Sequence, residues 1–109
     1  MAITAITSVQ EFDEKVLGSK GLVIVDFWAA WCEPCTVMRP EVEEVAERFE
    51  GQVEFFSVDA EDKNLRGILL KEDIDGIPSM VFFRDGKMLD SLVGYKKADV
   101  LEALIKEII

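Results

Sequence analysis

The hydrophobic pattern of the chain switches repeatedly between a strand-like and a helix-like period. Leu22 to Trp28 is apolar on both faces except at Asp26, as is typical of a central strand covered on both sides. From Pro34 to Phe49 the apolar side chains recur at helical spacing, and mostly acidic side chains fill the positions between them. Because strand and helix patterns alternate, we predict an α/β fold in which helices cover a sheet.

The weaker patterns complete this alternation. We predict a strand at 2–6, a helix from Ser8 to about Leu17, a strand at 53–58, a weaker helix at 61–71, strands at 79–83 and 88–93, and a helix at 98–108. Ser8 and Glu11 have the spacing of a capping box, and Thr7 with Gln10 is the alternative start. The two strands that flank Asp85-Gly86 predict a β-hairpin. We expect one domain over residues 1–109.

The composition and the net charge limit the classes of partner that this protein can bind. Of 109 residues, 12 are basic and 22 are acidic, so the net charge is −10. Nucleic acids and anionic membrane surfaces are therefore poor partners, and the acidity itself is typical of a soluble surface. No apolar run approaches the ~20 residues of a membrane span, and the start of the chain lacks the basic segment of a secretory signal. We expect a cytoplasmic protein.

The only two cysteines, Cys32 and Cys35, stand two residues apart at the predicted start of the second helix. Unpaired N–H groups and the helix dipole at that position favour a thiolate, the attacking species in disulfide exchange. The alternatives are a pair of inert core thiols or a metal site, but tetrahedral zinc needs four Cys or His ligands and the chain has no His. We therefore predict redox chemistry. We expect no metal and no bound cofactor, since no glycine-rich nucleotide motif follows a strand.

Several short motifs follow one another in a fixed order: Val25-Asp26-Phe27-Trp28-Ala29, Trp31-Cys32-Glu33-Pro34-Cys35, Pro40, Gly76-Ile77-Pro78, Asp85-Gly86 and Gly94. This ordered set resembles the thioredoxin family over nearly the full length of the chain. The resemblance implies a thioredoxin fold, with a central mixed sheet of about five strands flanked by four helices. It also implies a protein-disulfide reductase whose electrons come from a thioredoxin reductase. A monomer is the simplest expectation.

Cys32, nearest the helix start and expected to be exposed, is the predicted nucleophile that forms a mixed disulfide with the substrate. Cys35, one turn deeper, then attacks Cys32 and releases the reduced substrate. Asp26 is the one charged residue of a buried strand, so its pKa should be raised. The resemblance places Asp26 beneath the dithiol as the proton acceptor for Cys35. Its family partner, often a Lys on the next strand, is replaced by Ser57.

Two residues lie between the cysteines. Pro34 fits the first helical turn and resembles the reducing branch of the family. Glu33 departs from the family, which most often has Gly. Our hypothesis is that this carboxylate raises the pKa of Cys32 and makes the pair more reducing. The alternative is a solvated side chain that suits a helix N-terminus. Titration of Cys32 in the wild type and in Glu33→Gly distinguishes the two.

The substrate-binding residues are implied by the resemblance. Ile77 would pair its backbone with an extended substrate, next to a cis Ile77–Pro78 bond. Gly94, together with Ala29, Trp31 and Ile77, would form an apolar platform around Cys32, and Trp28 would pack beneath the active site. Gly76 and Pro78 complete the predicted substrate-binding residues.

Three functions fit this sequence: a general protein-disulfide reductase, a redox carrier dedicated to one target enzyme, and a non-catalytic adaptor. A thiol pair and a buried acid favour the reductase, because an adaptor needs neither. An oxidase or isomerase would need an oxidising compartment.

Overall fold

The computed structural model describes residues 2–109 and places a five-stranded sheet between two layers of helices. The strands are β1 (Ile3–Ala5), β2 (Leu22–Trp28), β3 (Glu54–Asp59), β4 (Ser79–Arg84) and β5 (Lys87–Val93). The helices are α1 (Val9–Phe12), α2 (Glu33–Arg48), α3 (Arg66–Lys71) and α4 (Ala98–Ile108). The predicted sheet of five strands with four helices is confirmed.

The strand order is β1-β3-β2-β4-β5, so β2 lies at the centre of the sheet. β3 runs parallel to β1 and β2, whereas β4 is antiparallel to both β2 and β5. Asp26 lies opposite Ser57 of β3 and Met80 of β4. The only charged residue of β2 therefore has uncharged neighbours on both sides within the sheet.

Side chains of β2 alternate between two hydrophobic clusters. Leu22 and Ile24 pack in the cluster that includes residues of α2 and α4. Val23, Val25 and Phe27 pack on the opposite face, in the cluster that includes residues of α1 and α3. Since successive side chains of a strand point to opposite faces, Asp26 and Trp28 face the same layer as Ile24. The central strand thus directs its carboxylate towards α2.

The first helix begins as predicted and then changes its form. Ser8 Oγ accepts a hydrogen bond from the Glu11 backbone N–H at 3.0 Å, while Glu11 Oε1 accepts from the Thr7 backbone N–H at 2.6 Å. Ser8 is thus the N-cap, and the return bond goes to Thr7 rather than to Ser8. The predicted single helix to Leu17 is wrong in its second half, where Asp13–Leu17 is a π-helical turn. This wider turn leaves Phe12 and Val16 both fully buried.

The helix predicted at 61–71 begins two residues later and has two parts. Lys63–Leu65 is a 3₁₀ turn, and α3 follows it directly. The Asp62 carboxylate accepts a hydrogen bond from the Asn64 N–H at 2.9 Å, which caps the tight turn. Leu65 and Ile68 are buried, so the predicted apolar face of the segment is confirmed although its helix is shorter.

The hairpin between β4 and β5 has the predicted two-residue turn. Asp85 and Gly86 both have positive φ, 53° and 81°, as a type I′ turn requires. A Cβ on Gly86 would lie 2.5 Å from the Leu17 carbonyl oxygen, so only glycine fits there. The strands extend to Arg84 and from Lys87, one residue nearer the turn than the sequence pattern predicted.

Candidate active site

The cysteine pair lies where the central strand passes into the longest helix. β2 ends at Trp28, and Cys32 is the N-cap of α2 with an extended backbone, φ −88° and ψ 104°. Its Sγ accepts a hydrogen bond from the Cys35 backbone N–H at 3.3 Å. The sulfur of Cys32 therefore occupies the capping position, where the free amides and the dipole of α2 stabilise negative charge.

Cys32 and Cys35 are joined by a disulfide, with their Cα atoms 5.3 Å apart. Both are buried, with exposed fractions of 4% and 5%. The expectation that Cys32 is exposed is wrong for this oxidised form. Both cysteines pack with Ala29, and the half-buried Trp28 and Ile77 cover that cluster. Ile77 comes from a distant part of the chain, so the sequence around the cysteines does not show that Ile77 packs over them.

Asp26 is buried as predicted, with an exposed fraction of 5%. Loss of hydration raises the pKa of its carboxyl group from 3.8 to about 6, and the positive charge of Arg39 limits the rise. Ser57, opposite Asp26 on β3, offers no charge. A carboxyl group with this pKa exchanges protons near neutral pH.

Arg39 is the site residue that the sequence analysis missed. Its Nη2 lies 3.8 Å from Asp26 Oδ2, and its guanidinium carbon lies 5.2 Å from the centroid of the Trp28 ring. The available signal was its position: Arg39 is four residues after Cys35, on the same face of the helix. It is also the only basic residue between Ala29 and Glu47.

A shallow groove beside the disulfide brings together part of the predicted docking surface. Trp31, whose exposed fraction is 67%, lines it together with Gly76 and Ile77. Glu61 and Asp75 stand on the same groove and make its rim acidic. The predicted roles of Trp31 as a surface residue and of Trp28 as packing beneath the site agree with this arrangement.

The remaining residues of the predicted docking surface, Pro78 and Gly94, lie side by side where β4 begins and β5 ends. The Ile77–Pro78 bond is cis, and the Gly94 N–H donates to the Pro78 carbonyl at 2.8 Å. Gly94 has a φ of +97°, which favours glycine. Ala29 is fully buried and does not belong to a surface platform, because it packs against both cysteines.

Glu33 and Pro34 are the first two residues of α2, and both side chains are exposed. The predicted place of Pro34 in the first helical turn is confirmed. The effect of Glu33 on Cys32 stays a hypothesis.

Comparison with known sequences decides the family. The family model described as Thioredoxin matches residues 3–107 of this chain. The chain belongs to the thioredoxin family. The chain is also 35% identical over 109 residues to the curated thioredoxins of Staphylococcus aureus strains MW2, USA300 and COL, a match that covers 99% of this chain and 100% of each relative. Thioredoxins are thiol-disulfide oxidoreductases, and Cys32–Cys35 is the dithiol pair of this member.

Other groups in residues 2–109 add no second centre. Within this described part, His, Cys, Asp and Glu form no cluster of three or more that could hold a metal ion. None of the helices described is long and apolar enough to cross a membrane.

Proposed function

We propose that this member of the thioredoxin family is a general reductase of protein disulfides, with Cys32 as the attacking thiol. The observation that carries the proposal is the position of the Cys32 sulfur at the N-cap of α2, where it accepts the Cys35 N–H. This arrangement favours a thiolate at Cys32 in the reduced protein. The neighbouring groove with its exposed Trp31 offers an apolar surface for protein substrates.

The reaction proceeds in two exchanges. The Cys32 thiolate attacks one sulfur of the substrate disulfide, forms a mixed disulfide and expels the other substrate sulfur as a thiolate. Cys35 loses its proton and attacks the Cys32 sulfur. The bond between Cys32 and the substrate breaks, and the Cys32–Cys35 disulfide forms. Two electrons pass from the protein dithiol to the substrate, which leaves with two thiols after taking up protons.

Asp26 is the proton acceptor for Cys35 in this scheme. Its burial and its raised pKa of about 6 support the assignment, since the carboxylate form is then abundant at pH 7 and its proton affinity is high for an aspartate. Ser57 cannot assist as a Lys would. Any positive charge that assists Asp26 must come from another element.

Substrate docks across the groove and the Gly76–Pro78 segment. Ile77 offers backbone groups to an extended substrate next to the disulfide it covers, while Trp31 and Gly94 flank it. Gly76, Ile77 and Gly94 carry no charged side chain, which suits a surface that accepts many sequences.

The remaining assignments concern the cellular setting. A thioredoxin reductase would supply the electrons, because the chain carries no nucleotide-binding motif of its own. The protein would act in the cytoplasm, as a monomer, on disulfide-containing proteins rather than on nucleic acid or membranes. The net charge of −10 supports the last point.

A turnover assay tests the proposal. With dithiothreitol as the electron source, the wild type should accelerate the reduction of a protein disulfide, and a variant with both Cys32→Ser and Cys35→Ser should not. A wild type that gives no acceleration, or a double variant that equals it, would contradict a reductase and favour a non-catalytic adaptor.

A further inference from the structure

Arg39 lies beside three residues of the redox centre: Asp26, Trp28 and Cys35. Its Nη2 lies 3.8 Å from Asp26 Oδ2, and its guanidinium carbon lies over the Trp28 ring, 5.2 Å from the centroid. It also lines a cleft shared with Cys35 and Thr36. Because Arg39 follows Cys35 by four residues, both side chains project from the same face of α2 towards β2.

The surroundings of Asp26 provide no other compensating charge. β3 presents Ser57 and β4 presents Met80, neither of which is charged. The buried residues of α4 on this face are Ala98, Leu101 and Ile105, all apolar. On α2, Glu43 lines the same cleft as Arg39 and would oppose rather than assist ionisation of Asp26. Within the described residues, Arg39 is the only cation paired with Asp26.

We propose that Arg39 is a positioning residue for the release step, since its guanidinium, held over Trp28, keeps Asp26 available as a carboxylate when Cys35 must lose its proton. It thereby replaces, from the helix side, the charge that Ser57 does not supply from the sheet side. The inference rests on the proposed function of Asp26 as a proton acceptor. In this proposal Arg39 acts through Asp26 and takes no direct part in the exchange between the sulfurs.

The chemistry of the step fixes what Arg39 must do. The Asp26 carboxylate takes the proton of the Cys35 thiol, the Cys35 sulfur attacks the Cys32 sulfur of the mixed disulfide, and the substrate sulfur leaves as a thiolate that is protonated from solvent. A neighbouring cation stabilises Asp26 before this transfer. If its removal raises the pKa of Asp26 by about one unit, the carboxylate fraction falls about fivefold at pH 6, about twofold at pH 7 and very little at pH 8.

The test measures the rate of substrate release and the pKa of Asp26 separately. Single-turnover reduction of a fluorescently labelled peptide disulfide is followed from pH 6 to 8 in the wild type, Arg39→Met and Arg39→Lys. The carboxyl carbon of Asp26 is titrated by NMR in the oxidised proteins, where the cysteines carry no titrating thiol. Arg48→Met is the matched control, because Arg48 lies on the same helix and pairs with Glu44 and Glu102, away from Asp26. Arg39→Gln serves in place of Arg39→Met if the latter does not fold.

We expect Arg39→Met to raise the Asp26 midpoint and slow release about fivefold at pH 6, with the deficit vanishing by pH 8. Arg39→Lys should restore most of the Asp26 midpoint and most of the release rate, and Arg48→Met should leave the midpoint and the rate unchanged. In an Asp26→Asn background, Arg39→Met should have no further effect on release. An unchanged midpoint, a deficit independent of pH, or a full Arg39 effect in the Asp26→Asn background would overturn the inference. A wild type that shows no turnover would instead refute the proposed function.

Discussion

Cys35→Ser should convert turnover into a trap: the reduced variant is expected to accumulate a one-to-one mixed disulfide with its substrate through Cys32. The reason is that Cys32 keeps its place at the N-cap of α2, whereas the group that releases the substrate is gone. Cys32→Ser removes the attacking sulfur and should form no such complex. In both variants multiple turnover should fall by at least about a thousandfold.

Mass spectrometry of the unreduced mixture measures the trapped complex, and dithiothreitol should dissolve it. The two single variants control each other, because each retains one thiol at the same site. A stable complex with Cys32→Ser and none with Cys35→Ser would show that the order of attack is reversed.

Asp26→Asn should make the protein more stable at neutral pH and a slower reductase. In the folded protein the pKa of Asp26 is about 6, against 3.8 for the ordinary group. The folded state therefore holds a proton that the unfolded state has already lost. The contribution of Asp26 to stability is fully present below pH 3.8 and is lost as the pH rises through 6. Because each unit of pKa difference corresponds to about 1.4 kcal/mol, the free energy of unfolding falls by about 3 kcal/mol over this range.

An asparagine carries no charge at any pH and escapes this loss. The free energy of unfolding of Asp26→Asn should therefore exceed that of the wild type by about 2–3 kcal/mol at pH 8 and match it near pH 3. Release of substrate should slow by about tenfold or more, because the general base is missing. Urea unfolding at the two pH values gives the stability, with the exposed Asp90→Asn as the matched control. A gain equal at both pH values would contradict burial of an ionised Asp26.

The fold was largely predictable because its strongest patterns belong to the elements that build the site. β2 is an uninterrupted apolar run with one acid, and α2 has a regular apolar face, so their types and bounds were predicted within a residue. The 3₁₀ turn at Lys63–Leu65 and the π-helical turn at Asp13–Leu17 were missed, since local capping and packing, rather than periodicity, determine them.

The candidate site was predictable only where its residues are adjacent in the sequence. The contact of Arg39 with Asp26 depends on how α2 is rotated over the sheet, and a helical pattern does not specify the partner across the layer. Burial of Cys32 depends on Ile77, which follows it by 45 positions in the chain and reaches it only through the fold. The residue types thus predicted disulfide exchange at the cysteine pair, whereas the tertiary packing determined which charge lies beside Asp26 and how far Cys32 is buried.

The reduction potential of the Cys32–Cys35 pair tests the central claim most directly. It is measured by equilibrating the protein with dithiothreitol or glutathione buffers and counting the fraction of disulfide. A cytosolic protein-disulfide reductase needs a reduction potential below that of the glutathione pool. Biochemical extraction of cells gives that pool a potential of about −220 to −260 mV. We predict a value clearly below this range. A value near or above it would contradict the account and assign the pair to an oxidase or isomerase.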